Sequence, residues 1–285
     1  MGKFQGMLLL SDYDNTLHYT EDALRAGTEV PPISPRNLEA LSYWTNQGGL
    51  FSVATGRALA AFRRQAASLP INAPVVVDNG GAIYDLAAGR YLVKNYLPKG
   101  ALERIAAVME AFPGVSLELY HEDDLVQVMR PTAWNDQHAL LTGLGYEVVD
   151  RLERETVPMP LAKALFVSEP AQLRGLRDRM IRMGWAADYE LIFSSGHLLE
   201  MTARGANKGD MALRLKALCG CRRLFCAGDH ANDLPMLRAA DRGFAPANAI
   251  PEVLCSGAER VCHCLDGALA DIVELLDREG CSAAK

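Results

Sequence analysis

The feature that most constrains the fold is a rhythm of short apolar runs alternating with helical patterns. In the first part of the chain, apolar runs at 6–13, 50–54 and 74–77 have the length and continuity of strands buried on both faces of a sheet. Between them, Ser34 is placed to cap a helix that runs to about Asn46, and residues 58–69 repeat apolar side chains at helical spacing. This β-α-β-α-β order predicts a parallel sheet with right-handed crossovers.

The middle of the chain has a different pattern. Its strand-like runs are Arg90–Tyr96, Val115–His121, Leu125–Met129 and Ala164–Ser168. Its helical segments are Leu102–Ala111, Trp134–Leu141 and Ala171–Met183. The short acidic turn His121–Asp124 joins two neighbouring strand-like runs, which favours antiparallel pairing.

From about Ser195 the first rhythm returns, with further strands predicted at 224–227, 243–245 and 261–264. The simplest interpretation is an α/β protein with one doubly wound, parallel-sheet core. Residues 1–85 and 192–285 would form this core, and residues 86–191 would be an inserted α+β cap domain.

Composition and charge exclude some classes of protein. The chain has 285 residues, of which 49% are hydrophobic and 22% charged, so it has ample material for a core. The net charge of −6 argues against nonspecific nucleic-acid binding, which needs an excess of Lys and Arg. No stretch approaches the ~20 apolar residues of a membrane span, and the run Met7–Leu10 is too short for a secretory signal. We therefore expect a cytoplasmic protein, a monomer or small homo-oligomer, without nucleic-acid or membrane partners.

The cysteines all lie in the last quarter of the chain, at 219, 221, 226, 255, 262, 264 and 281. Two pairs have C-x-C spacing, whereas zinc sites ordinarily use C-x₂₋₄-C. We interpret them as buried or incidental thiols in a reducing compartment, not as a metal site.

Two acidic clusters, Asp12–Thr16 and Gly228–Asp233, each follow an apolar strand. Ligands of parallel α/β sheets bind beyond the carboxyl ends of the strands, so both clusters should lie at the active edge. Either cluster alone could merely cap a helix, as Asn232 or Asp233 could. Carboxylates gathered at one edge repel one another unless a cation is present, and a set of oxygen ligands favours Mg²⁺ over zinc. The carboxylates concerned are Asp12, Asp14, Asp229 and Asp233.

Two further segments offer phosphate contacts. Thr55-Gly56-Arg57 closes the second strand, where a hydroxyl can donate to phosphate oxygens and Gly56 allows close approach of the backbone. Lys208 opens a helix after the strand-like run that ends at Glu200-Met201. An exposed lysine is usually only a solvated charge, but here the chain must return to the active edge of the sheet.

Together these residues resemble the four-motif signature of the haloacid dehalogenase-like superfamily, and their order resembles its Cof-type phosphatase branch. The motifs lie at 12–16, 55–57, 208 and 228–233. The tract Gly228–Met236 is similar to the branch's G-D-x-x-N-D-x-x-M pattern, and Asp78–Gly81 resembles its N-G turn before the cap. Asn15 departs from the pattern, because this place usually holds Gly. Asn tolerates left-handed backbone conformations better than most residues, so the departure is mild.

The resemblance implies a Mg²⁺-dependent hydrolase acting on a small phosphorylated metabolite, often a sugar phosphate. Asp12 would be the nucleophile and form an aspartyl-phosphate. Asp14 would protonate the leaving oxygen and then deprotonate the hydrolytic water.

The resemblance also implies the metal and phosphate ligands. The Asp12 carboxylate, the Asp14 backbone carbonyl and Asp229 would hold Mg²⁺. Asp233 would anchor a water on the metal or orient Lys208. The phosphoryl oxygens would be held by Thr55, Gly56, Lys208 and Asn232. Such neutralisation is needed because a phosphate dianion repels a carboxylate nucleophile.

Three other functions remain open to different degrees. A phosphomutase would use the same residues but return the phosphoryl group to the sugar. A non-enzymatic binding protein on this fold would be expected to lack Asp12 or Lys208, and both are present. A dinucleotide-dependent oxidoreductase would need G-x-G-x-x-G after a strand, and Gly143-Leu144-Gly145 lacks the third glycine. Substrate choice should depend on cap side chains that face the core, with Tyr120–Asp124 and Arg130 as polar candidates.

Overall fold

The computed structural model describes residues 2–20, 29–122 and 125–282. Along these residues the strands are β1 (Met7–Ser11), β2 (Leu50–Val53), β3 (Val75–Val77), β4 (Ala82–Asp85), β5 (Arg90–Lys94), β6 (Ser116–His121), β7 (Val126–Met129), β8 (Glu147–Val148), β9 (Leu161–Val167), β10 (Tyr189–Ser195), β11 (Leu198–Ala203), β12 (Arg223–Ala227), β13 (Arg242–Ala245) and β14 (Glu259–Arg260). The helices are α1 (Pro35–Asn46), α2 (Leu59–Ala66), α3 (Ala101–Glu110), α4 (Ala133–Thr142), α5 (Pro170–Arg182), α6 (Lys208–Leu218), α7 (Leu234–Ala239), α8 (Pro251–Leu254) and α9 (Ala268–Ser282).

The core is a parallel sheet with strand order β14-β13-β12-β1-β2. β1 lies inside it, and its alternate side chains enter different hydrophobic clusters. Leu9 packs with residues of α1, α2 and α9, whereas Leu8 and Leu10 pack with residues of α6 and α7. Helices therefore cover both faces, which explains why the strand reads as a continuous apolar run. The predicted doubly wound parallel sheet is confirmed.

The cap is built on a second sheet, with strand order β10-β11-β9-β6-β7-β8. All its pairs are antiparallel except β7–β8. Helices α3 and α5 pack on one face. The other face turns toward the core, because Ala58 of the core packs in one cluster with Tyr120, Val128 and Leu165 of the cap.

Strand pairing bears on where the cap begins and ends. β4 and β5 form a hairpin, and β4 also pairs with β3. A parallel bridge between Ala54 and Val76 joins β3 to the core. β10 and β11 pair with β9, so the cap sheet extends through Ala203. The alternation of a hairpin strand does not reveal which sheet it joins, so the sequence pattern alone predicts a cap of residues 86–191. We propose instead that the cap runs from about residue 96 to about residue 204.

Two local features complete the fold. The last core strand lies at Glu259–Arg260, not at 261–264 as predicted, and Cys264 begins a short 3₁₀ turn. None of the helices in the described residues is long and apolar enough to cross a membrane.

Candidate active site

The two acidic clusters meet where β1 and β12 end side by side. The N–H of Asp12 donates to the carbonyl of Ala227 at 2.9 Å, which ties the end of one strand to the end of the other. Carboxylate oxygens of Asp12, Asp229 and Asp233 all lie within 4.8 Å of one another, and all three residues are buried. The parallel register therefore brings together groups that are more than two hundred residues apart in sequence.

Lys208 bridges two members of this triad. Its Nζ donates to Asp12 Oδ1 and to Asp233 Oδ1, at 2.6 Å each, and the residue is only 1% exposed. Asn207 caps α6 by accepting from the N–H of Asp210, so the helix starts at Lys208. Lys208 is therefore not a solvated surface charge.

The triad carries more negative charge than one lysine compensates. Burial and the charge of Asp233 raise the pKa of Asp12 to about 7, against the opposing effect of Lys208. Burial and the charges of Asp12 and Asp233 likewise raise the pKa of Asp229 well above its ordinary value. Burial would lower the pKa of Lys208, but the two carboxylates outweigh it and raise that pKa. A divalent cation would relieve this excess, and an all-oxygen donor set suits a hard cation such as Mg²⁺.

The loop after β12 is held by Asp233. Its Oδ2 accepts from the backbone N–H groups of Asp229 and His230, at 2.9 and 3.1 Å. A Cβ on Gly228 would lie 2.4 Å from the Cβ of Asp233, so this position excludes any side chain. Thr16 donates to Asp229 Oδ1 at 2.7 Å. Asp233 thus shapes the loop and orients Lys208 at the same time.

Asp14 stands apart from the triad. Arg57 grips it with two hydrogen bonds, from Nε to Oδ2 at 2.8 Å and from Nη2 to Oδ1 at 2.6 Å. Burial pushes the pKa of Asp14 upward, but the charge and hydrogen bonds of Arg57 together with a hydrogen bond from Thr20 outweigh burial, and the net shift is downward. The next residue, Asn15, has a φ of 58°, the left-handed conformation expected where the pattern usually has Gly. Asn248 donates to its carbonyl at 2.7 Å.

The turn Thr55–Arg57 follows β2. Thr55 Oγ1 accepts from the N–H of Arg57 at 3.1 Å, and this hydroxyl can still donate its own hydrogen. A Cβ on Gly56 would come within 3.0 Å of Asn79 Nδ2, so the turn packs closely against the N-G turn. Asn232 also reaches that turn, because its Nδ2 donates to Asn79 Oδ1 at 2.8 Å.

Comparison with known proteins agrees with this geometry. A model of the haloacid dehalogenase-like hydrolase family matches residues 9–262. The chain belongs to this family. It is 26% identical over 255 residues to the HMP-PP phosphatase of Cronobacter sakazakii, with 85% of each chain covered.

Solved structures of the family share the fold. A haloacid dehalogenase-like hydrolase from B. subtilis superposes with a TM-score of 0.78 at 21% identity, over 94% of this chain and 98% of that one. A protein described as the subclass IIB sugar phosphatase BT4131 superposes with a TM-score of 0.76 at 17% identity, over 94% and 98%. At these identities the likeness establishes the fold alone.

Six cysteines are free thiols, at positions 219, 221, 226, 255, 262 and 264. Within the described residues, the group of three potential metal ligands that lie within reach of one another is the aspartate triad. Cys226 and Cys264 are buried, as expected of thiols that pack in a core.

The polar cap residues that the sequence offers as substrate contacts lie in different surroundings. Tyr120 is buried on the core-facing side and donates to Glu118 at 2.8 Å. Arg130 donates to the carbonyls of Met109 and Phe112 at the end of α3, which ties it to the cap's own fold. Asp123 and Asp124 lie outside the described residues.

Sequence reasoning missed two basic residues at the site. Arg57 lies in the motif 55–57, whose pattern assigns it no individual role, and it proves to be the partner of Asp14. Lys163 lies in β9, at the boundary between cap and core, and donates to the carbonyl of Gly56 at 2.9 Å. The signal for Lys163 was a single charge inside the apolar strand LAKALFV, where an unpaired ammonium would be costly.

Proposed function

We propose that this hydrolase is a Mg²⁺-dependent phosphatase of a small phosphorylated metabolite, with sugar phosphates as the favoured class. The observation that carries the proposal is the buried triad of Asp12, Asp229 and Asp233 with Lys208 bonded to Asp12. The relative from Cronobacter sakazakii is named a phosphatase, and this supports phosphate-ester hydrolysis as the class of reaction.

Asp12 is the proposed nucleophile. Lys208 holds its Oδ1, and the backbone bond to Ala227 fixes its position at the end of the strand. A carboxylate oxygen of Asp12 attacks phosphorus, the bond to the leaving oxygen breaks, and an aspartyl-phosphate forms. A water then attacks the same phosphorus, releasing inorganic phosphate and restoring the carboxylate.

Asp14 is the proposed acid and base, and its pairing with Arg57 bears on the first of these roles. A carboxyl whose pKa is lowered is ionised at neutral pH and has no proton to give. We infer that substrate binding draws Arg57 toward the phosphoryl oxygens, which would free Asp14 to carry a proton to the leaving oxygen. The ionised form suits the second step, in which Asp14 takes a proton from water.

Mg²⁺ would be held by the carboxylates of Asp12 and Asp229 with the backbone carbonyl of Asp14. When bound, it supplies positive charge that lets a phosphate dianion approach a carboxylate. Both oxygens of Asp233 already accept hydrogen bonds, from Lys208 and from the loop backbone. Asp233 is therefore better suited to orienting Lys208 than to direct coordination.

The phosphoryl oxygens would be bound by Thr55, Gly56, Lys208 and Asn232. Thr55 has a hydroxyl hydrogen to donate, and Gly56 allows the backbone to come close. Asn232 would have to exchange its bond to Asn79 for one to phosphate.

The test is a phosphate-release screen over sugar phosphates, nucleotides and pyridoxal phosphate in the presence of Mg²⁺. The wild type should release phosphate from at least one class, and Asp12→Asn, as the matched control, should release none. Formation of an isomeric sugar phosphate without phosphate release would instead identify a phosphomutase, which the same aspartate chemistry permits. No release and no isomerisation across the panel would overturn the proposal.

A further inference from the structure

A buried ammonium lies at the boundary between cap and core. Lys163, in β9 of the cap, is 3% exposed. Its Nζ donates to the backbone carbonyl of Gly56 at 2.9 Å and to Glu200 Oε2 at 3.0 Å, and it lies 3.9 Å from Asp78 Oδ1. The ring of Tyr120 lies under it, 4.6 Å from Nζ. A lysine is rarely placed so deeply without such compensation.

The partners of Lys163 belong to two different bodies. Glu200 is in β11, in the same sheet as β9, and would travel with the cap. Gly56 and Asp78 belong to the core. Burial would lower the pKa of Lys163, but the charges of Glu200 and Asp78 outweigh it and raise that pKa, so the ammonium stays charged. Lys163 therefore has one counter-ion within its own sheet and reaches its other partners only where cap and core are in contact.

The carbonyl that Lys163 reaches is the middle one of the phosphate-binding turn. The carbonyl of Thr55 accepts from the N–H of Asn79 at 3.0 Å, and that of Arg57 accepts from the N–H of Asp78 at 3.0 Å. The core thus holds the first and third carbonyls of the turn. The second, on Gly56, is held by the cap through Lys163.

We propose that Lys163 is a positioning residue that couples cap closure to the phosphate-binding turn of the active site. Closing the cap completes the set of hydrogen bonds that fixes the backbone carbonyls of the turn from Thr55 to Arg57. This inference rests on the proposed phosphatase function for its kinetic consequence, although the coupling itself is a property of the fold.

The kinetic test compares three variants of the full-length protein. Lys163→Met/Glu200→Gln removes both charges of the pair and leaves neither unpaired. Lys163→Arg keeps a cationic donor, and Lys99→Met removes an exposed lysine as the matched control. In the double variant kcat/KM should fall about ten- to a hundred-fold, the loss expected for one charge-assisted hydrogen bond. Lys163→Arg should recover most of this loss, and Lys99→Met should match the wild type.

A second readout does not depend on turnover. Amide hydrogen exchange should quicken at Asp78 and Asn79 in the double variant, because their N–H groups bond to the turn that Lys163 holds. A merely structural role for Lys163 would lower the melting temperature without this local change. Should the double variant fail to fold, Lys163→Gln, which keeps an amide donor but no charge, enters both assays and is expected to show intermediate effects.

Wild-type exchange at Asp78 and Asn79 together with a kcat/KM equal to that of Lys99→Met would overturn the inference. If the wild type releases no phosphate from any substrate, it is the proposed function that fails. The exchange measurement then decides the role of Lys163 by itself.

Discussion

The core and the cap each bury a lysine among carboxylates, but the two clusters are in opposite electrostatic states. In the core, Lys208 serves a triad in which the pKa values of Asp12 and Asp229 are raised. At the cap boundary, the pKa of Glu200 is lowered, because the charge of Lys163 and the hydrogen bonds that Glu200 accepts together outweigh the effect of burial. Raised values mean that the carboxylates lack positive charge, and lowered values mean that they have enough. The first cluster is therefore suited to bind a cation, whereas the second is a complete ion pair.

This contrast predicts that substitutions in the core cluster reduce turnover more than substitutions at the cap boundary do. Asp12→Asn should reduce kcat by at least about 10⁴-fold, because an amide is a poor nucleophile and removal of a nucleophile costs this much or more. Circular dichroism should show an unchanged fold, since the amide oxygen can still accept from Lys208. A kcat near that of the wild type would exclude covalent catalysis by Asp12.

The two lysines should differ in their kinetic effect. With saturating Mg²⁺, Lys208→Met should lower kcat/KM by about 10³-fold, because in the proposed phosphatase its charge would face the phosphoryl group in a site sheltered from water. The loss should exceed that of the double variant at Lys163 and Glu200, whose charges act through the backbone of Gly56. Steady-state kinetics of both variants on one substrate measures the comparison. Equal losses would mean that Lys208, like Lys163, acts by positioning other groups and not by direct contact with the phosphoryl group.

The same contrast explains what could be predicted from the sequence. The meeting of Asp12 and Asp229 was predictable because each lies within two residues of the end of a buried strand, and parallel strands bring their carboxyl ends to one edge. Lys208 was predictable from its place in the motif order. The pairing of Asp14 with Arg57 was not, since it depends on how two turns orient their side chains. Nor was the contact between Lys163 and Glu200, which depends on β9 and β11 being neighbours in an antiparallel sheet.

Stability should respond to pH with opposite sign in the two clusters. In the metal-free protein, Asp12 has a folded pKa of about 7 against 3.8 for the free residue. Its contribution to the free energy of unfolding is therefore fully present below about pH 4 and is lost as pH rises to about 7. Asp12→Asn should therefore be more stable than the wild type at pH 7, by on the order of 4 kcal/mol, and show little difference at pH 4.

Glu200→Gln should do the reverse. The contribution of Glu200 is present above its ordinary pKa of 4.5 and is lost as pH falls. At pH 7 the variant leaves Lys163 without its carboxylate and should lose about 3 kcal/mol. Urea unfolding of both variants in EDTA at the two pH values measures this. Shifts of the same sign in the two variants at pH 7 would contradict the assignment of one cluster as deficient in positive charge and the other as complete.

Mg²⁺ should also distinguish the two clusters through its effect on the melting temperature, which is the smallest of the effects expected. A ligand that binds only the folded state at a hundred times its Kd stabilises by about 2.7 kcal/mol, which for a chain of this size raises the melting temperature by a few degrees. Mg²⁺ should produce this shift in the wild type, and Asp229→Asn should abolish most of it by removing one carboxylate of the triad. Glu200→Gln should keep the full shift, because its carboxylate is already neutralised by Lys163. Calcium and zinc serve as controls for ion type, and an oxygen-only set of ligands should prefer the hard ions. If Asp229→Asn kept the full Mg²⁺ shift while Glu200→Gln lost it, the cation would bind at the cap boundary, and the raised pKa values of the triad would need another cause.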